Sequence, residues 1–271
     1  MGKLIGAGAV TIFVATGVWL ALACTSEGEA GANAHGAAAP GMTSAEGYTG
    51  GAVQDGGSIS GTVKYSGEAP KQGTITPNKD KEVCGDSIDK DILLVSSTNN
   101  GIKNVLVSIT NITKGKEAKI QGKENPAVLD QKGCMYVPHV LVVDAGSWVV
   151  YKNSSDPISH NTNVASKFGQ SFNKMLTTGG SSDPIQLKEA ERMKVKCDIH
   201  PWMSAYIWVM ESPYWALTGE DGSFKIDNVP PGTYKVKFWQ ERCKKVEKNI
   251  TVEAGKDADA DAEMKAKKKR R

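Results

Sequence analysis

The stretch "TGEDGSFKIDNVPPGTYKVKFW", residues 218–239, decides the fold class. Inside it, "SFKI" (223–226) and "TYKVKFW" (233–239) alternate apolar and polar side chains, the two-residue period of a half-buried strand. Asp221-Gly222 precedes the first run and Pro230-Pro231-Gly232 separates the two. These are turn residues for different reasons: Gly reaches positive φ without a Cβ clash, and Pro presets φ near about −65°.

Outward from this pair the pattern recurs. "SISGTVKYSG" from residue 58, "NVLVSIT" (104–110), "HVLVVDAGSWVVYKN" (139–153), "AYIWVM" (205–210) and "NITV" (249–252) read as strands, punctuated at Pro70, Asn99-Asn100-Gly101 and Asp144-Ala145-Gly146. Helical periodicity is weak apart from a turn expected near "KEAERM" at 188–193. Short strands at regular spacing between such turns predict an all-β chain built from β-sandwiches. A length of 271 residues suits one large or two small domains, and 39% hydrophobic with 23% charged residues is ordinary globular composition.

The opening stretch resembles the second half of a carboxypeptidase regulatory-like, transthyretin-type sandwich. "SGTVKYSGEAP" (60–70) and "IKNVLVSIT" (102–110) resemble its first half. The resemblance implies one sandwich, from residues 58–124 and 214–254, interrupted by a second at 125–213. Such motifs specify a fold and are almost silent on function.

At the N-terminus, Lys3 is followed by the apolar run "IGAGAVTIFVATGVWLALA" ending at Ala23, which reads as an export signal over residues 1–23. The "ALAC" ending resembles the bacterial lipobox, with Ala21 where Leu usually stands. That implies cleavage before Cys24 and a lipid on its thiol; an uncleaved anchor or a plainly secreted form are the alternatives. All three put the body outside the cytoplasm, on the periplasmic or cell-surface side.

Residues 24–57 are rich in Gly, Ala, Ser and Thr and read as a flexible tether, with a reach of roughly 30 Å. His35 within it reads as a solvated bystander. Removing Lys3 and the six cations of the terminal "KAKKKRR" from the net charge of +3 leaves −4 on residues 24–264. The body is mildly acidic, and residues 255–271 read as a charged, disordered tail. Nucleic acid is not expected as a partner, because the basic charge sits on a tail and the compartment is wrong.

With Cys24 given to lipid, Cys84, Cys134, Cys197 and Cys243 remain. An exported chain favours disulfides, and four cysteines allow three full pairings that sequence alone does not choose among. Cys84 and Cys134 both sit beside Gly at the edges of strand-like segments and form the expected pair; closing that loop of about 50 residues contributes roughly 4 kcal/mol. Cys243 is then an unpaired thiol flanked by cations. A Cys197–Cys243 bridge is the rival, and it would remove Cys197 from metal chemistry.

The chemistry concentrates in "CDIHPWM", residues 197–203. A thiolate with a nearby imidazole suits copper or zinc, and a thioether at Met203 singles out copper. A blue-copper site also needs a second imidazole, which His160 in "YKNSSDPISHNTNV" supplies after a strand and a polar loop.

The pattern resembles the cupredoxins: an upstream His160-Asn161, then Cys197, His200 and Met203 with the short spacing of amicyanin-type loops. This resemblance implies that 125–213 is a cupredoxin-like Greek-key sandwich, inserted in or packed on the regulatory-like one. It implies one type 1 copper ion held by His160, Cys197, His200 and Met203. Asn161 would fix the ligand loop, Pro201 would stiffen it and Trp202 would shield the metal. The His200 edge, with Pro201 and Trp202 around it, is the expected exit for an electron. His139 in "YVPHVLVV" is read as a packed or hydrogen-bonded residue, with an extra ligand as the alternative.

No Gly-rich phosphate loop, G-x-S-x-G elbow or H-E-x-x-H occurs, and four histidines are too few for a multicopper oxidase. Asp86, Asp89 and Asp91 lack EF-hand spacing. The chain is therefore expected not to be an enzyme. It is expected to be a membrane-tethered electron carrier that serves a redox protein such as a c-type cytochrome. The alternatives are a copper-delivery protein and a metal-free structural or adhesive surface lipoprotein.

Overall fold

A computed structural model describes residues 47–90 and 92–267. The signal peptide, Cys24, His35, the tether as far as residue 46, Asp91 and residues 268–271 lie outside the described residues.

The chain is all-β, and its one described helix is a single turn, Lys81–Cys84. Two sandwiches account for most of it. In the outer one, a sheet ordered Trp215–Leu217, Leu106–Ile109, Gly232–Trp239, Val246–Val252 faces a second sheet ordered Ser223–Val229, Gly57–Tyr65, Asp257–Asp259. Alternation explains the burial: Phe224 and Ile226 point inward from Ser223–Val229 between exposed neighbours. Ile59, Val63, Val107, Val236, Phe238 and Tyr214 fill the core between these sheets.

The strands from residue 127 to residue 210 pair only among themselves. One sheet runs Ile185–Gln186, Trp148–Lys152, Ala127–Lys132, Met135–Val137. The other runs Phe172–Leu176, His160–Val164, Arg192–Lys196, Ser204–Met210, Val140–Asp144. Leu129, Val149, Tyr151, Val195, Ile207 and Cys197 share their core. We call this the inserted sandwich.

A third apolar cluster joins the two sandwiches. Leu106 and Trp239 of the outer one pack with Val140 and Val142 of the inserted one, flanked by Tyr206, Trp208 and Trp215. Asp144 adds a polar tie, accepting from Trp215 Nε1 at 2.6 Å and from the Lys119 amide at 2.7 Å.

Three expectations change here. The segment 255–271 is not a disordered tail throughout: Asp257–Asp259 and Ala262–Met264 run parallel to Gly57–Tyr65, with Ala260, Ala262 and Met264 buried. In "ADADAEM", small apolar residues alternate with carboxylates, which is a strand pattern hidden by charged composition. The end of the tether is also structured, since Thr49–Gly50 pairs with Lys114–Gly115. The turn expected near 188–193 is not helical; Arg192–Lys196 is a strand.

Candidate metal centre

The site forms where two antiparallel strands of the inserted sandwich end. Arg192–Lys196 pairs with Ser204–Met210 in a register that sets Lys196 opposite Ser204. Cys197 and Met203 are the next residues outward, so they stand at the base of the connecting loop. The Cys197 amide donates to the Met203 carbonyl at 3.2 Å, and the Met203 amide donates to the His200 carbonyl at 2.9 Å. Met203 is fully buried in the same core cluster as Cys197. His160 opens the strand His160–Val164, which pairs with Arg192–Lys196 on its other side. Two stretches some 40 residues apart are thus brought together by one sheet.

Three donor atoms converge. His160 Nδ1 lies 2.9 Å from His200 Nδ1, and Cys197 Sγ lies 3.7 Å from His200 Nδ1. All three atoms fall within 4.8 Å of one another, and His160, Cys197 and His200 are buried. Metal–nitrogen and metal–sulfur bonds of about 2.0–2.3 Å around one ion leave donors roughly 3–4 Å apart.

The outward ring nitrogens set the chemistry. His160 Nε2 sits 2.9 Å from Asp156 Oδ2, and His200 Nε2 sits 2.7 Å from Asp80 Oδ2. A carboxylate only accepts, so each Nε2 carries a ring proton, and a ring that holds no second proton presents its Nδ1 lone pair, a tautomer assigned from the hydrogen-bond network. Two neutral rings arranged in this way turn their lone pairs toward each other and toward sulfur. Only a cation or a proton relieves that arrangement. Burial holds His160 below the usual imidazole range, against the upward pull of its bond to Asp156. The residues therefore fit a thiolate-binding metal ion, and one sulfur with two imidazoles suits copper or zinc.

Asn161 does two things. Its main-chain N–H donates to Cys197 Sγ at 3.3 Å, and its side-chain oxygen accepts from the Asp198 amide at 3.2 Å. The His200 amide adds a second donor to the sulfur at 3.4 Å. Behind Asn161, Tyr136 donates to its carbonyl at 2.6 Å. Trp202 donates through Nε1 to the Cys134 carbonyl at 3.1 Å, with its ring 5.0 Å from that of His200.

Cys84 and Cys134 form a disulfide, and Cys197 and Cys243 are buried free thiols. The rival Cys197–Cys243 bridge is absent; the two thiols belong to different sandwich cores. A second grouping of Cys134, Asp156 and His160 offers no thiolate, because Cys134 is in the disulfide. His139 pairs with Glu241 at 2.6 Å and is not in either grouping. Pro201 is exposed and Trp202 half-buried, but His200 has no exposure at all. Its ring edge is therefore not the open electron exit expected from the sequence; Asp80 covers it. An adjoining groove of about 460 Å³ is lined by Asp80, Ile158, Ser159 and Ile199.

Asp80 and Asp156 are the residues that sequence reading missed. "NKDKE" and "SSDPI" look like solvated turns, and nothing local ties residue 80 to residue 200.

Comparison with known proteins gives partial likenesses. The family model described as polysaccharide lyase family 4, domain II, matches residues 206–260. That stretch holds most of the last inserted strand and part of the outer sandwich. A search of curated proteins returned no match. Among solved structures, the Cu(I) form of an amicyanin mutant is similar at 19% identity, covering 31% of this chain and 81% of its own, with a TM-score of 0.27. A purple cupredoxin from Nitrosopumilus maritimus is similar at 24% identity, covering 31% and 98%, with a TM-score of 0.27. A copper-containing nitrite reductase from Thermus scotoductus SA-01 reaches 21% identity, 36% and 25% coverage, and a TM-score of 0.30. At such TM-scores these likenesses say nothing about what the site binds.

Proposed function

We propose that the chain binds one copper ion at His160, Cys197 and His200, with Met203 as the further donor, and carries single electrons outside the cytoplasm. The observation that carries this reading is the convergence of two imidazole lone pairs and one thiol sulfur in a buried site. Copper held there would supply a one-electron couple.

The protein's own contribution is to hold the donors still. Two N–H groups donate to the sulfur, two carboxylates hold the imidazoles, and burial excludes water. Small rearrangement between oxidation states is what an electron carrier requires, and the thiol and both imidazoles are buried away from solvent. The role is a carrier, not an enzyme. Its partner is a redox protein such as a c-type cytochrome, and its membrane attachment is through lipid on Cys24.

A copper-delivery role calls for an open site with weak retention, and the burial of all three donors speaks against it. A metal-free scaffold calls for Cys197 in a disulfide, and its thiol is free. The test is metal analysis of the full-length protein after copper loading and gel filtration, followed by cycling with ascorbate and ferricyanide. One copper per chain that cycles reversibly is expected. Failure to retain copper, or retained copper that does not cycle, rejects the reading.

A further inference from the structure

The two residues of the Cys84–Cys134 disulfide make main-chain contacts to both aspartates that hold the imidazoles, to the Asp156 carboxylate and to the Asp80 backbone carbonyl. The Cys134 amide donates to Asp156 Oδ2 at 2.8 Å, the same oxygen that takes His160 Nε2 at 2.9 Å. The Gly133 amide holds the other Asp156 oxygen at 2.7 Å. On the far side of the bridge, the Cys84 amide donates to the Asp80 carbonyl at 2.9 Å, closing the single helical turn that Asp80 begins. The Asp80 side chain reaches His200 Nε2 at 2.7 Å, and Asp80 itself adopts φ 50°, a left-handed conformation that Asp tolerates better than most residues. Trp202, its ring tilted by 51° and 5.0 Å from that of His200, donates to the carbonyl of Cys134.

The turn Lys81–Cys84 belongs to neither sheet of the inserted sandwich. The small hairpin Thr74–Ile75 with Ile88–Asp89 flanks it, and the disulfide is its covalent link to that sandwich. Without the bridge, nothing covalent near Asp80 holds its carboxylate over a ring that comes from residue 200.

We propose that the Cys84–Cys134 bridge is the clasp of the metal centre, and that Asp80 is a positioning residue which, held by that clasp, closes the outward edge of His200. The site is thereby completed by a segment outside the inserted sandwich. Histidine ligands are ordinarily fixed through their second nitrogen by a carboxylate or carbonyl, and weakening that partner typically costs ten- to a hundredfold in metal affinity. The clasp extends this support from the carboxylates to a covalent bond.

The metal side of this inference rests on the copper reading, so the test has one arm with metal and one without. Full-length parent, Asp80→Asn, Asp80→Ala and the double variant Cys84→Ser/Cys134→Ser are compared. In the metal-free arm, alkylation of Cys197 by iodoacetamide is followed by peptide mass, with the buried Cys243 reporting opening of the outer sandwich and near-ultraviolet circular dichroism reporting that of the inserted one. Asp80→Ala and the double variant are expected to raise the Cys197 rate at least tenfold while the Cys243 rate stays at the parental value. Asp80→Asn keeps an acceptor for Nε2–H and is expected to stay within about threefold of the parent. In the metal arm, capture of Cu(I) by a chelator is expected to speed up in the same order.

If the double variant unfolds, Cys243 reacts as fast as Cys197, and Asp80→Ala then decides. Parental Cys197 rates in a folded Asp80→Ala protein overturn the inference. If the parent retains no copper but Asp80→Ala still exposes Cys197, the copper reading falls and the clasp stands.

Discussion

Two main-chain N–H groups point at the Cys197 sulfur, one from Asn161 and one from its own loop at His200. The sulfur is one of three converging donor atoms, so substitution at this residue is expected to act on the metal before it acts on the fold. Cys197→Ser should abolish sulfur-to-copper absorption. Met203→Leu should keep copper and shift its reduction potential, read by redox titration, because the thioether is the weak member of the set. A change of potential on Cys197→Ser with its colour retained would contradict the assignment.

The other free thiol behaves differently. Burial pushes Cys243 from 9.0 up to about 11, with Lys267 pulling weakly the other way. A folded-state value raised above the unfolded one favours the neutral thiol in the fold. That contribution is complete below about pH 9 and is lost as the pH rises toward 11. Cys243→Ala should therefore lose less stability between those pH values than the parent, measured by urea denaturation.

At this scale the ligand types were legible, because Cys, His and Met in one short loop with a distant His-Asn carry chemistry in their identities. Asp80 and Asp156 were not. A carboxylate in a polar turn has no signature until the fold brings an imidazole to it.

The strands Asp257–Asp259 and Ala262–Met264 show what element-scale reading loses. Their alternation of Ala with Asp is a valid period of two, but low hydrophobicity and the neighbouring cationic run make it look solvated. Burial of Met264 against the outer core shows that the element is structural. Met264→Ala should cost about 2–5 kcal/mol by urea denaturation; a disordered tail would tolerate it without change. By contrast the strands Ser223–Val229 and Gly232–Trp239, which lie in the two facing sheets of the outer sandwich, were plain from residues 218–239, since turn residues and apolar alternation agree there. The loop 197–203 belongs with the legible elements: flanking strands in register leave its first and last residues opposite each other whatever the loop contains.

The two sandwiches are held together by the cluster between them. Trp239 packs 5.0 Å from Trp208 and 5.2 Å from Tyr206, and the Arg192 guanidinium lies 5.6–5.9 Å from all three rings. Truncating that anchor removes apolar contact from both sandwiches at once. Trp239→Ala should cost about 3–5 kcal/mol and separate the unfolding of the two sandwiches into distinct steps, followed by tryptophan fluorescence and circular dichroism together. The interruption of one sandwich by another was readable in outline from strand patterns. The interface was not, because its residues alternate like any strand face, and only the fold shows that the opposite surface is a second sandwich. Among the described residues no helix is long and apolar enough to cross a membrane. The proposed attachment through Cys24 is tested by mass analysis of the N-terminus.

The most direct test of the metal centre is the optical spectrum of the full-length protein loaded with Cu(II), taken beside that of Cys197→Ser. Intense visible absorption in the parent, absent from the serine variant although copper is still supplied, is the expected result. A colourless copper-loaded parent, or a band that survives loss of the sulfur, would contradict a copper ion held between His160, Cys197 and His200.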